Sequence, residues 1–200
     1  MSQSADNRKA HINQQNLNST IYNQYFEREI PKFLGEPPLR PEVFIGREGE
    51  IEKICEQLFS GENLLLLVNG RGGIGKTTLA ATYYHTYHAN YQHLCWVFAG
   101  TSLQSSLLGI ADHLKLSFPD QMPPEKRVKV LLTELRNLEG PCLFIIDNAD
   151  NREELEAHYN ALRKLPNCHL LVTSRVKRLG YDALYAVNTL SEEKAKSLLL

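Results

Sequence analysis

Closely spaced cysteines are missing from this chain, and with them the usual mark of a metal clip or redox couple. The four present (Cys55, Cys95, Cys142, Cys168) form no C-x-x-C pair, and three of them fall within apolar, strand-like runs. They read as reduced, buried, small side chains. A surplus of charge of either sign is missing too. Twenty-two Lys and Arg face 23 Asp and Glu, for a formal charge of −1. Without a net basic field there is no sequence-independent grip on nucleic acid or on an anionic membrane, and neither is an expected partner. Bilayer-length apolar segments are also lacking. Runs such as Leu64–Val68 and Cys142–Ile146 hold five residues each, against roughly 20 for a spanning helix. The N-terminus is polar and unlike a secretory signal, so the expectation is a soluble, cytoplasmic protein. His85 and His88 share a helix face at i, i+3, but no third ligand type clusters near them, and helix surface is the expected role.

What is present suffices for a core: 200 residues, 42% of them hydrophobic, predict one domain with an attached arm. Residues 1–24 are crowded with Asn and Gln and carry too little apolar surface to offset ordering entropy, so a mobile arm is expected. A short aromatic segment (Tyr25, Phe26, Phe33, Leu34) leads to Gly35-Glu36-Pro37-Pro38-Leu39-Arg40-Pro41, read as a linker because its prolines remove backbone donors. The domain is expected over 42–200, after an arm and linker over 1–41.

Within it, strand-like and helix-like segments alternate. Ile51, Ile54, Leu58 and Phe59 mark a helix opened by Gly46-Arg47-Glu48. The run Leu64–Val68 reads as a strand covered on both faces, followed by a helix over about 75–88. Cys95–Ala99, Leu143–Ile146 and His169–Thr173 read as further strands, and Ala183–Val187 as a short fifth. Between them, Leu103, Leu107, Ile110, Ala111 and Leu114 form one helical stripe, Val128 to Leu138 another, and Leu155, Tyr159 and Leu162 a third. Strands separated by helices of that length predict an α/β fold: a parallel sheet with helices on both faces and right-handed crossovers. From Ser191 a further helix is expected to start. It runs into Leu198-Leu199-Leu200 with no stop signal, which suggests continuation into another domain.

The strongest local signal is Gly70-Arg71-Gly72-Gly73-Ile74-Gly75-Lys76-Thr77, a full match to G-x-x-x-x-G-K-[ST] between a buried strand and an amphipathic helix. Glycines let successive backbone N–H groups turn toward a phosphate, and the following helix aims its positive end at the same anion. A triphosphate tail is expected in the bend between Asn69 and Thr78, held by Gly70, Gly72, Gly73, Ile74, Gly75, Lys76, Thr77 and Thr78. Lys76 would neutralise the β- and γ-phosphates, and the Thr77 hydroxyl would ligate Mg²⁺.

Two more strands end in polar groups. Asp147 closes Leu143-Phe144-Ile145-Ile146 and is placed to steady the Mg²⁺ shell beside Thr77, although the same position could cap the next helix. Asp150 could orient the attacking water or be that helix's N-cap. Leu170-Leu171-Val172-Thr173-Ser174 leads to Arg175, which could meet a γ-phosphate bidentately or belong to a solvated basic cluster with Lys177 and Arg178.

Together with Val43-Phe44-Ile45-Gly46-Arg47-Glu48 upstream, these motifs resemble the nucleotide-binding core of the NB-ARC branch of STAND ATPases, over about residues 42–200. The resemblance implies a P-loop NTPase with strand order 5-1-4-3-2. It implies an adenine site with contacts from Phe44, Ile45 and Arg47, and Arg175 as the sensor arginine. It further implies ATP or ADP with Mg²⁺ as ligands, self-association in the ATP state, and effector and sensor domains elsewhere in the chain; the candidate catalytic residues are Lys76, Asp147, Asp150 and Arg175. The Asn-rich arm resembles linkers of bacterial members. One departure bears on chemistry: the family's second acidic residue after Asp147 is Asn148 here. An amide is a poor proton acceptor, so slow hydrolysis is expected. The rival readings are an AAA+ ATPase of the replication-initiator type and a scaffold that binds nucleotide without hydrolysing it.

Overall fold

The apolar runs form the centre of one sheet in the computed structural model, which describes residues 29–60, 65–176, 183–190 and 194. The expected mobile arm, Tyr25 and Phe26, the basic pair Lys177 and Arg178, and the helix start at Ser191 with its leucine end lie outside those residues.

Five strands, β1 (Leu65–Asn69), β2 (His93–Phe98), β3 (Cys142–Asp147), β4 (Cys168–Ser174) and β5 (Ala183–Ala186), lie parallel in the order β2-β3-β4-β1-β5. Read from the other edge this is 5-1-4-3-2, as expected. Asn69 stands level with Ser174 and Ala186, and Asp147 with Phe98. The C-terminal tips of all five strands therefore gather on one edge, where an open α/β sheet presents its ligand site.

Helices α1 (Glu48–Phe59) and α2 (Lys76–Tyr87) cover one face. Their Ile51, Ile54, Leu58, Leu79 and Tyr83 pack against Leu143, Ile145 and Leu171. Strand alternation turns Phe144 and Ile146 to the other face. There α3 (Leu103–Leu108) packs on β2, with α4 (Pro124–Arg136) and α5 (Arg152–Leu162) beside it. Both faces being covered, every residue of β3 is buried, and each large apolar side chain contributes about 1.5–3 kcal/mol by leaving water.

The stripe from Leu103 to Leu114 is helical only over its first half. After Leu108 the hydrogen bonds shorten to three-residue spacing (Ile110 N–H to the Leu107 carbonyl, Ala111 N–H to Leu108) and the chain continues as turns to Lys115, whose φ is 52°. Tighter turns still return every third or fourth side chain to one side, so all five apolar residues remain buried.

The segment before the domain motif is tied to the sheet edge. The Leu94 N–H donates to the Lys32 carbonyl (2.7 Å), the Leu34 N–H donates back to Leu94 (2.8 Å), and Leu34 is fully buried. His85 Nε2 lies 2.8 Å from the Pro38 carbonyl. The two main-chain bonds at Leu94 occupy part of the free edge of β2. Cys95, Cys142 and Cys168 are buried, Cys55 is half-buried, and none forms a disulfide. Burial pushes the Cys95 thiol well above its ordinary value, and hydrogen bonding with Cys142 together with burial does the same to Cys168. Thiols of that kind are unreactive.

Candidate functional site

The Gly-rich loop leaves β1 at Asn69 and enters α2 at Lys76. Gly73 and Gly75 have φ of 75° and 94°, in the left-handed region that a side chain disfavours. Gly75 occupies the N-cap position with no side-chain cap, and no acidic residue stands in the first turn of α2. The first amides of this helix therefore retain their demand for an anion. A Cβ at Gly72, Gly73 or Gly75 would meet nothing within 4 Å, so the loop is open on its glycine side. Lys76 Nζ donates to the Gly70 and Arg71 carbonyls (2.9 and 3.0 Å), which folds its ammonium against the loop itself.

At the tip of β3, Asp147 is 2% exposed. Its carboxylate accepts from the Thr77 hydroxyl (2.9 Å to Oδ1, 3.1 Å to Oδ2) and from the Thr173 hydroxyl of β4 (2.6 Å). Thr173 in turn accepts from the Asn148 N–H (2.9 Å). A carboxylate beside a hydroxyl is an oxygen donor set suited to a hard divalent cation. Thr173 was not singled out from the sequence, where it is only a polar residue at a strand end. The signal available was its place two residues before Arg175.

Asn148 has φ of 59°. Asn and Asp adopt this conformation far more readily than other side-chain-bearing residues, so the turn after β3 itself selects for one of the two.

Neither Asp147 nor Asp150 caps α5. Asn151 does, its Oδ1 accepting from the Glu154 N–H at 3.1 Å. The sequence offers two overlapping capping patterns, Asp150 with Glu153 and Asn151 with Glu154, and local spacing cannot choose between them. Glu154 is turned away to hold Ser102 Oγ (2.7 Å) and the Gln104 N–H (3.0 Å) at the start of α3. Burial would raise its carboxyl, but these hydrogen bonds outweigh it and the value is lowered. Asp150 instead accepts from Arg175, at its main-chain N–H (2.6 Å) and at Nε (2.5 Å).

Arg175 lines a cleft of about 560 Å³ together with Asn69, Gly70, Arg71, Ile74 and the segment Ala186–Thr189. That volume lies in the range of small-molecule and cofactor sites. Arg47, 6% exposed, is bonded to two of the residues that line it. It donates to the Ile74 carbonyl (3.0 Å), the Asn188 carbonyl (2.9 Å) and Glu50 (2.9 Å), joining the loop to the segment after β5. Phe44 packs partly buried against the α1–α2 core, and Ile45 is 37% exposed. Lys194 Nζ donates to the Gly46 carbonyl (2.6 Å), closing the same corner.

Among solved structures, the fold is similar to the Aeropyrum pernix ORC1 protein in complex with DNA (TM-score 0.60, 18% identity, 82% of this chain and 50% of that one). It is also similar to the ORC2 protein of the same organism in ADPNP and ADP complexes (TM-score 0.52, 17% identity, 83% and 54%). Likeness at that identity speaks for the fold alone. In sequence, the chain is 25% identical over 170 residues to one Arabidopsis thaliana protein named as a disease resistance protein, and 25% identical over 153 residues to a second. The matches take in 82% and 71% of this chain but only 21% and 17% of those relatives. Both relatives are plant proteins and lend nothing to a bacterial affiliation. The NB-ARC domain model matches residues 47–200, from the buried arginine through the Gly-rich loop to the end of the chain, and the chain belongs to this family of nucleotide-binding domains.

Proposed function

We infer that this domain is the ATP/ADP-binding switch of a STAND-type signalling ATPase. The observation that carries the reading is the junction of Thr77 with Asp147 beside an open Gly-rich loop. The loop amides and the start of α2 would hold the phosphates, and Lys76, presently resting on its own loop, would neutralise them. Thr77 and Asp147 would hold Mg²⁺, which supplies charge stabilisation at the transferring phosphoryl group when bound. Phe44, Ile45 and Arg47 would supply the adenine contacts that the family resemblance implies for them.

Lys76, Thr77 with Asp147, and Arg175 all distinguish a triphosphate from a diphosphate, so the two nucleotides can stabilise different states of a longer chain. The ADP form would be closed. The ATP form would open and self-associate, with effector and sensor domains outside these residues. Hydrolysis would be slow, because Asn148 replaces a carboxylate. The test is Lys76→Ala followed by analysis of nucleotide carried through purification: the wild type retains adenine nucleotide and the variant does not. Retention at the wild-type level would refute the reading.

A further inference from the structure

Asp150 sits outside the Gly-rich loop and the Thr77–Asp147 pair, on the turn that follows β3. The turn that carries it is tied to the tip of β4 through Ala149 and closed on itself at Asn148. The Ala149 N–H donates to the Thr173 carbonyl (2.9 Å), the Ser174 hydroxyl donates to the Ala149 carbonyl (2.6 Å), and the Asp150 N–H donates to the Asn148 carbonyl (2.9 Å). Its side chain is 16% exposed, whereas that of Arg175 is 64% exposed. Each Asp150 oxygen takes one hydrogen bond from Arg175: Oδ1 from the main-chain N–H and Oδ2 from Nε.

A carboxylate that grips an arginine by its amide and its Nε leaves the far edge of the guanidinium uncommitted. Nη1 and Nη2 of Arg175 have no protein partner among the described residues, and this residue lines the cleft beside Asn69, Gly70 and Ile74. Their four N–H donors form the planar fork that matches a phosphate bidentately. An exposed arginine otherwise loses much side-chain entropy on being ordered. Fixing its inner edge in advance removes part of that cost and gives the fork one direction. Each of the two bonds takes one lone-pair site on an Asp150 oxygen and turns that oxygen toward Arg175.

Building on the switch reading, we propose that Asp150 is a positioning residue, holding Arg175 so that its free fork meets the terminal phosphate of a nucleoside triphosphate. Asp150 thereby sets the preference for triphosphate over diphosphate rather than activating water.

The experiment is calorimetric titration of the full 200-residue chain with Mg²⁺ and either ADP or a non-hydrolysable ATP analogue. Asp150→Ala weakens analogue binding roughly tenfold, the scale of one charge-assisted hydrogen bond lost, and leaves ADP binding within twofold. Asp150→Asn retains one acceptor and recovers part of the loss. Arg175→Ala matches Asp150→Ala, and the double variant loses no more than either single one. Unchanged or tighter analogue binding in Asp150→Ala overturns the proposal while the switch reading stands, as does a double variant whose losses add. A wild-type chain that binds neither nucleotide overturns both.

Discussion

The Thr77 hydroxyl lies 2.9 Å from the Asp147 carboxylate, although seventy residues separate the two in sequence. The contact exists because β1 and β3 end on the same edge of the sheet with β4 between them. It links the first turn of α2 to a buried acid and forms the donor pair assigned to Mg²⁺. Thr77→Val keeps the shape and removes the oxygen. ATP affinity measured by calorimetry without Mg²⁺ should be unchanged, while the gain on adding Mg²⁺ should fall roughly tenfold. An undiminished gain would show that the cation is held elsewhere.

Asn148 stands at φ 59°, which aspartate adopts as readily. Asn148→Asp should therefore fold normally and place a carboxylate next to Asp147, where the family has its second acid. Phosphate release per domain should rise by about 10²-fold if a proton acceptor there is what hydrolysis lacks. A rate equal to wild type would mean that the slow step lies outside proton transfer.

Arg47 carries a buried guanidinium that holds two main-chain carbonyls, Ile74 and Asn188, and the Glu50 carboxylate. Arg47→Ala leaves all three without that partner and should cost about 3 kcal/mol, read from urea unfolding midpoints. Arg47→Lys should recover little of it, since one ammonium lacks the planar fork that reaches separate acceptors. Equal midpoints for wild type and Arg47→Ala would show that water replaces the side chain at no cost.

His169 has its Nδ1 2.9 Å from the Tyr91 hydroxyl, which in turn lies 2.8 Å from Tyr83 OH, and its ring meets Phe59 edge-on. Burial lowers its value below the ordinary 6.5, and burial lowers His158 likewise despite the opposing charge of Glu154. A histidine lowered in the folded state binds its proton more readily when unfolded. Its contribution is therefore complete above pH of about 6.5 and is lost as pH falls toward the folded-state value. Thermal melts should show Tm dropping between pH of about 7 and 5, with a shallower drop in His169→Gln. Parallel slopes in the two proteins would remove His169 from this account.

The elements of the fold were legible where the signal is local. Continuous apolar runs such as Cys142–Ile146 announce strands buried on both faces, and spacing of three and four announces α1 and α5. The Gly-rich loop is legible for the same reason, because its chemistry depends on consecutive backbone amides. The stripe from Leu103 to Leu114 misled because tight turns and an α-helix return side chains to one face at nearly the same interval. The cap of α5, expected at Asp147 or Asp150, falls on Asn151, because adjacent residues satisfy the same local pattern.

By itself, then, the order of residues determined which segments could be buried, where a phosphate could be cradled and which polar side chains ended the strands. These follow from periodicity and from contiguous backbone, which a linear string contains. Only the tertiary structure decided the partners: Thr173 for Asp147, Arg175 for Asp150, and the Ile74 and Asn188 carbonyls for Arg47. Each joins residues far apart in the chain, and each depends on which strand tips stand side by side in the sheet, a distance that sequence separation does not encode.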